Sequence, residues 1–99
     1  MVKRLKYKKI KAGKNYVEAF LIKLLSKNLI FMRGRKGYIM CGYLNLKAAE
    51  KFKDVAVKIT GVSTIKEALK AAVHSSTKAA AKLGIYKDQP VKEVLKIIA

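Results

Sequence analysis

Tryptophan is absent from this 99-residue chain, and cysteine, proline and histidine each occur once. A single cysteine, Cys41, permits no intramolecular disulfide and cannot by itself supply the ligands of a zinc site. Such sparing use of cysteine suits a reducing compartment, so the cytoplasm is the expected location. Long apolar runs are missing too. The longest, such as residues 19–22 and 38–41, fall far short of the roughly 20 residues that a membrane-spanning helix needs, and no membrane partner is expected. The first residues alternate Lys with apolar side chains and lack the apolar core of a signal peptide.

Acidic residues are also scarce. Six Asp and Glu stand against 23 Lys and Arg, a formal charge of +17. The six carboxylates, Glu18, Glu50, Asp54, Glu67, Asp88 and Glu93, are scattered, with no spacing that joins a pair for acid–base chemistry. No GxGxxG, Walker A, GxSxG or HExxH segment occurs, so no cofactor and no metal is expected.

What remains is apolar and basic. At 52% hydrophobic residues the chain has enough apolar surface to fold. Its length fits a single α+β domain, residues 1–99, with a β-rich oligomerising region over 1–44 and an α/β region over 45–99. Residues 2–11 alternate basic and apolar side chains, Gly13 and Asn15 supply turn chemistry, and residues 16–25 read as the returning strand of a hairpin. Residues 29–32 and 38–44 read as two more strands, joined by the turn Gly34-Arg-Lys-Gly37. Asn45 is placed to cap a helix from Leu46 to about Phe52. Val55, Val57 and Ile59 alternate as in a half-buried strand. Thr64 and Glu67 form a capping box for a helix expected over 65–83, with Gly84 as its terminator, and Pro90 suits the first turn of a last helix over 91–98. The expected order is ββββαβαα: an N-terminal antiparallel four-stranded β region followed by α-β-α-α, with helices covering one sheet face.

In residues 16–25 both alternation sets are apolar: Phe20, Ile22 and Leu24 on one side, Val17, Ala19, Leu21 and Leu25 on the other. A sheet apolar on both faces must be covered on both. Helices can cover one face, so the other predicts a second copy of the chain. A homo-oligomer built through the N-terminal β region is therefore expected.

Basic residues concentrate in the same region. Residues 1–36 carry a net +11 and residues 37–99 a net +6. Lys3, Arg4, Lys6, Lys8, Lys9, Lys11, Arg33, Arg35 and Lys36 are the candidate polyanion-binding residues, and non-specific nucleic acid is a candidate partner. Lysines on strand edges also block sheet-to-sheet aggregation, which accounts for part of the pattern without any ligand. The leading reading is a binding or interaction module. The alternative is an enzyme using Cys41 as nucleophile or redox residue, with Tyr38, Asn45 or Thr60 as polar support. Against it, a free cysteine commonly serves as a small buried hydrophobe, and nothing directs the sole imidazole, His74, toward it.

The stretch Lys36-Gly-Tyr-Ile-Met-Cys-Gly-Tyr-Leu-Asn45, with Val57-Lys-Ile-Thr-Gly-Val62 downstream, resembles the YunC-like family of small uncharacterised bacterial and archaeal proteins. The resemblance covers roughly residues 28–95. It implies an N-terminal β region that tetramerises, followed by α/β structure, and it aligns that family's cysteine with Cys41. Near the C-terminus the chain departs from the family's Gly-Met-Thr-Gly-Arg-Glu-Ala-Leu-like segment: residues 88–95 keep Glu93 and Leu95 but lose both glycines.

Overall fold

A computed structural model describes residues 5–99. Lys3 and Arg4, two of the candidate polyanion-binding residues, lie outside the described residues. Leu5–Ala12 (β1) and Asn15–Lys23 (β2) form the expected antiparallel hairpin, in register from Leu5 opposite Ile22 to Ala12 opposite Asn15. Gly13 turns the chain at φ +68°, a conformation open to glycine at no steric cost. Asn28–Arg33 (β3) and Tyr38–Met40 (β4) extend the antiparallel sheet.

Leu46–Lys51 (α1) follows, and Asn45 Oδ1 accepts the Ala48 amide at 3.2 Å as the sequence predicts. This helix carries the chain back, so that Ala56–Lys58 (β5) lies parallel to β4, with Ile39 opposite Val57. Ile65–Leu69 (α2) begins at Thr64, whose Oγ1 accepts the Glu67 amide at 3.0 Å. The Glu67 carboxylate reaches one residue further back than a capping box requires and accepts the Ser63 amide at 2.7 Å. Ser75–Ser76 (β6), Lys78–Lys82 (α3) and Val91–Ile98 (α4) complete the chain.

The α+β class stands, but the expected order does not. The sheet is six-stranded and mixed, in the order β1-β2-β3-β4-β5-β6, and four short helices accompany it among the described residues. Two local causes account for the difference. The strand at 56–58 joins the sheet beside β4, so the β region is not a separate four-stranded unit. The helix expected over 65–83 stops at Leu69: the Val73 amide donates to the Gln89 carbonyl at 2.9 Å and the Val91 amide to the Ala71 carbonyl at 3.0 Å. Ser75 and Ser76, whose hydroxyls compete for backbone groups and disfavour a helix interior, follow before α3 begins at Lys78. The open edge of β5 takes the interruption instead: the His74 amide donates to the Lys58 carbonyl at 2.9 Å and the Thr77 amide to the Ala56 carbonyl at 3.0 Å.

Val17, Ala19, Leu21, Ile30, Met32 and Ile39 share one face of the sheet and form a single buried cluster with Val91, Val94, Leu95 and Ile98 of α4. Thr77 is buried with them, and its hydroxyl serves three backbone groups. It donates to the Asp54 carbonyl at 2.6 Å and accepts the Ala56 amide at 3.2 Å and the Ala80 amide at 3.3 Å. Thr77→Val keeps the shape and orphans all three, so it is expected to cost about 2–3 kcal/mol, with Thr77→Ser recovering most of the loss. Urea unfolding with an unchanged slope is the check.

Candidate functional site

Side chains of the other parity on β1–β4 form an open face on which none is fully buried. Strand register sets their rows. Leu5, Ile22 and Leu29 lie side by side, then Tyr7, Phe20, Phe31 and Met40, then Lys9, Glu18, Arg33 and Tyr38, then Lys11 and Tyr16. A stripe of aromatic rings crosses all four strands, with centroid separations of 5.1 Å (Tyr7–Phe20), 6.2 Å (Phe20–Phe31) and 5.5 Å (Phe31–Tyr38). Tyr7 is 52% exposed at one end of the stripe. Its hydroxyl donates to Glu18 Oε2 at 2.8 Å, and this hydrogen bond, ahead of desolvation and the carboxylate's charge, raises the phenol above its usual range.

Beside the stripe the β3–β4 turn forms a groove of about 440 Å³. Arg33, Arg35 and Lys36 line it together with Phe31 and Tyr38, and Asp54 sits at its side. The Tyr38 hydroxyl donates to Asp54 Oδ2 at 2.9 Å. Burial, reinforced by that hydrogen bond and the carboxylate's charge, pushes the Tyr38 phenol up to about 12. The tyrosine therefore remains a neutral donor across the physiological range, and Asp54 is engaged by it rather than by an arginine. The turn is anchored from behind: the Lys36 amide donates to the Ile98 carbonyl at 2.8 Å and the Gly34 amide to the Gly37 carbonyl at 2.9 Å.

The sequence-predicted basic residues divide accordingly. Arg33, Arg35 and Lys36 converge on the groove. Lys9 and Lys11 lie on the same open face, with the Lys9 ammonium 5.1 Å from the centroid of the Tyr16 ring, a cation–π contact. Lys6 and Lys8 share the parity of Ile10 and Ala12, so they project from the opposite face of β1 and do not join the others.

Cys41 belongs to a different place. It follows β4 directly, three residues and about 10 Å along the strand from Tyr38, and shares the buried parity of Ile39 rather than the open face. The residue is 4% exposed. Its Sγ accepts the Ile30 amide at 3.4 Å and lies 3.9 Å from the Asn28 carbonyl. A cleft of about 690 Å³ opens beside it, walled by residues 26–28, 41–43 and 60–63. Of the three polar supports expected for Cys41, only Thr60 lines this cleft; Tyr38 faces Asp54 in the groove and Asn45 caps α1. His74 is exposed, with Nδ1 3.0 Å from Ser75 Oγ, and does not line the cleft. Sequence reasoning missed Ser26, Lys27, Asn28 and Ser63 as neighbours of Cys41. The one signal for that wall was the Thr-Gly-Val segment, which sits beside the cysteine only because β5 runs parallel to β4.

Among the described residues no group of three or more His, Cys, Asp or Glu could hold a metal ion, and no helix is long and apolar enough to cross a membrane.

Fold and sites together define a small α+β protein whose mixed sheet is open on one face, with a cationic, aromatic groove at one end and a cysteine-floored cleft at the other. The chain belongs to the family described as Domain of unknown function (DUF1805), whose model matches residues 40–98. It is also similar to a protein of unknown function from Thermoplasma acidophilum, known from its crystal structure, at 33% identity and a TM-score of 0.91, over 96% of this chain and 93% of that one. No curated protein matches it.

Proposed function

We propose that the protein is a homo-oligomeric binding module that holds polyanions, single-stranded nucleic acid foremost, at the groove of the β3–β4 turn. The observation that carries this reading is the convergence of Arg33, Arg35 and Lys36 on one groove with the rings of Phe31 and Tyr38. Cations that follow a phosphate backbone beside aromatic faces that stack bases are the combination such strands require. Because Asp54 accepts from Tyr38, the three cations are left for an external anion.

The open face supports the oligomer. Leu5, Tyr7 and Ile22 are exposed there beside the half-buried Phe20, Leu29 and Phe31, a contiguous apolar surface of the kind that marks an interface. A second copy facing it would cover the Leu5, Tyr7, Phe20 and Ile22 part of the face and leave Phe31 and Tyr38, which line the groove, open to a bound strand. The likeness to YunC-like proteins, whose N-terminal β region is described as tetramerising, favours a tetramer. Sedimentation of a species several times the 11.0 kDa chain mass supports this arrangement, and a monomer at physiological salt rejects it.

Binding is tested with a fluorescent oligo(dT) titrated between about 50 and 200 mM salt. Combined Arg33→Glu, Arg35→Glu and Lys36→Glu is expected to weaken binding about tenfold and to reduce the salt slope by about two, since each lost phosphate contact on a single strand removes about 0.7. Lys92→Glu with Lys96→Glu, on exposed positions of α4, keeps the slope. An unchanged slope in the turn variant overturns the assignment.

A further inference from the structure

The cleft beside Cys41 lies apart from the groove and asks for a different occupant. Its wall brings together three loops: the β2–β3 connection with Ser26 and Lys27, the end of β4 with Cys41 and Gly42, and the segment after β5 with Thr60 and Gly61. Lys27 is the one charged residue in that wall, and no carboxylate lines it. The carboxylate nearest in the hydrogen-bond network, that of Glu67, is held by the Ser63 amide at 2.7 Å. The amides of Gly42, Tyr43, Gly61 and Val62 donate to no protein acceptor among the described residues.

Gly42 adds an independent observation. Its φ lies outside the left-handed region, and a Cβ built on it meets nothing within 4 Å. Neither the backbone conformation nor the chain's own packing therefore requires glycine at this position. Gly34 and Gly37 differ, since a Cβ at either would strike a neighbouring segment. A glycine free of internal demands in a cleft wall lets an external group approach the backbone closely. Clefts of a few hundred Å³ with a few converging polar groups are the form taken by small-molecule sites.

We infer that this cleft binds a small organic anion, its carboxylate or phosphate held by Lys27 and the loop amides, with the Cys41 thiol at the floor. The inference stands on the cleft alone and does not depend on the polyanion reading.

Cys41 supplies the readout. Iodoacetate and iodoacetamide have nearly the same size and differ in charge, and each alkylates the thiol by displacing iodide while the thiol proton passes to buffer. Each rate, followed by mass spectrometry, is divided by the rate of the same reagent with the unfolded chain. The normalised rate for iodoacetate is expected to exceed that for iodoacetamide by about threefold or more, as electrostatic focusing in a cationic cleft provides. Lys27→Glu is expected to invert the preference. Gly42→Val is expected to slow both reagents about tenfold or more while the circular dichroism melting curve is retained, since a Cβ at this position meets nothing within 4 Å. Equal normalised rates that ignore Lys27→Glu, or a folded chain in which Cys41 reacts with neither reagent, would overturn the proposal.

Discussion

Gly34→Ala is expected to lower the melting temperature by about 10–25 °C, the shift that a loss of about 3 kcal/mol produces in a domain of this size. A Cβ at this position would fall against the Ile98 carbonyl oxygen and 2.6 Å from its carbonyl carbon. Those are main-chain atoms of the last helix, so no rotamer change can relieve the overlap. The turn or the end of α4 must move. Either movement stretches the Lys36 amide bond to Ile98 and disturbs Ile98 itself, which is fully buried. Overpacking of this kind costs about 1–3 kcal/mol even among side chains, and a broken buried hydrogen bond adds about 1 kcal/mol. Thermal unfolding followed by circular dichroism makes the measurement. Gly42→Ala is the contrast, with a change of only a few degrees, because its Cβ meets nothing within 4 Å. Equal losses from the two substitutions would show that the turn is not clamped to α4. The turn also carries Arg33, Arg35 and Lys36, so the variant is expected to lose the proposed polyanion binding before it loses its fold.

Phe20→Asp is expected to convert the proposed oligomer to monomers, raising the dissociation constant by a factor of about 10² to 10³. Phe20 stands at the centre of the open face between Tyr7 and Phe31, and its side chain points away from the buried cluster. Removing the ring therefore spares the core of each protomer. A carboxylate there would be enclosed between apolar partners without a cation, and breaking buried charge balance in that way costs about 3–5 kcal/mol. Glu18, two residues earlier on the same face, adds like-charge repulsion. Sedimentation reads the mass, and circular dichroism confirms that each monomer stays folded. A variant that keeps the parent mass would show that the copies meet elsewhere.

Local signals in the sequence were reliable where a single segment decides its own structure. The β1–β2 hairpin, the Asn45 cap and the start of α4 at Pro90 could all be read from turn and capping residues. The alternation of residues 16–25 holds as far as the strand does: Val17, Ala19 and Leu21 are buried and Phe20 and Ile22 occupy the open face, whereas Leu24 and Leu25, assigned one to each set, lie beyond β2 and are exposed. Pairing over distance was not legible. Nothing in Ala56–Lys58 announces a parallel partner, and helical spacing across residues 65–83 concealed the serines that join the edge of β5. The sites divide in the same way. Arg33, Arg35 and Lys36 sit in one turn, so their convergence was visible in the chain itself. The wall around Cys41 comes from segments up to 37 residues apart, Ser26 to Ser63, and only the parallel strand brings them together.

The sheet's strand order has a kinetic consequence. Because β1 through β6 are neighbours in the same sequence as they leave the chain's N-terminal end, each new strand needs only the one before it as a template. Loop closure is cheapest for such short-range pairings, so the three antiparallel contacts from β1 to β4 are expected to form early. The parallel step to β5 must wait for α1 to turn the chain around, and α4 then returns to the β3–β4 turn from the far end of the sequence. Refolding should accordingly show the N-terminal hairpins protected from hydrogen exchange first, with the Ile98–Lys36 amide protected last.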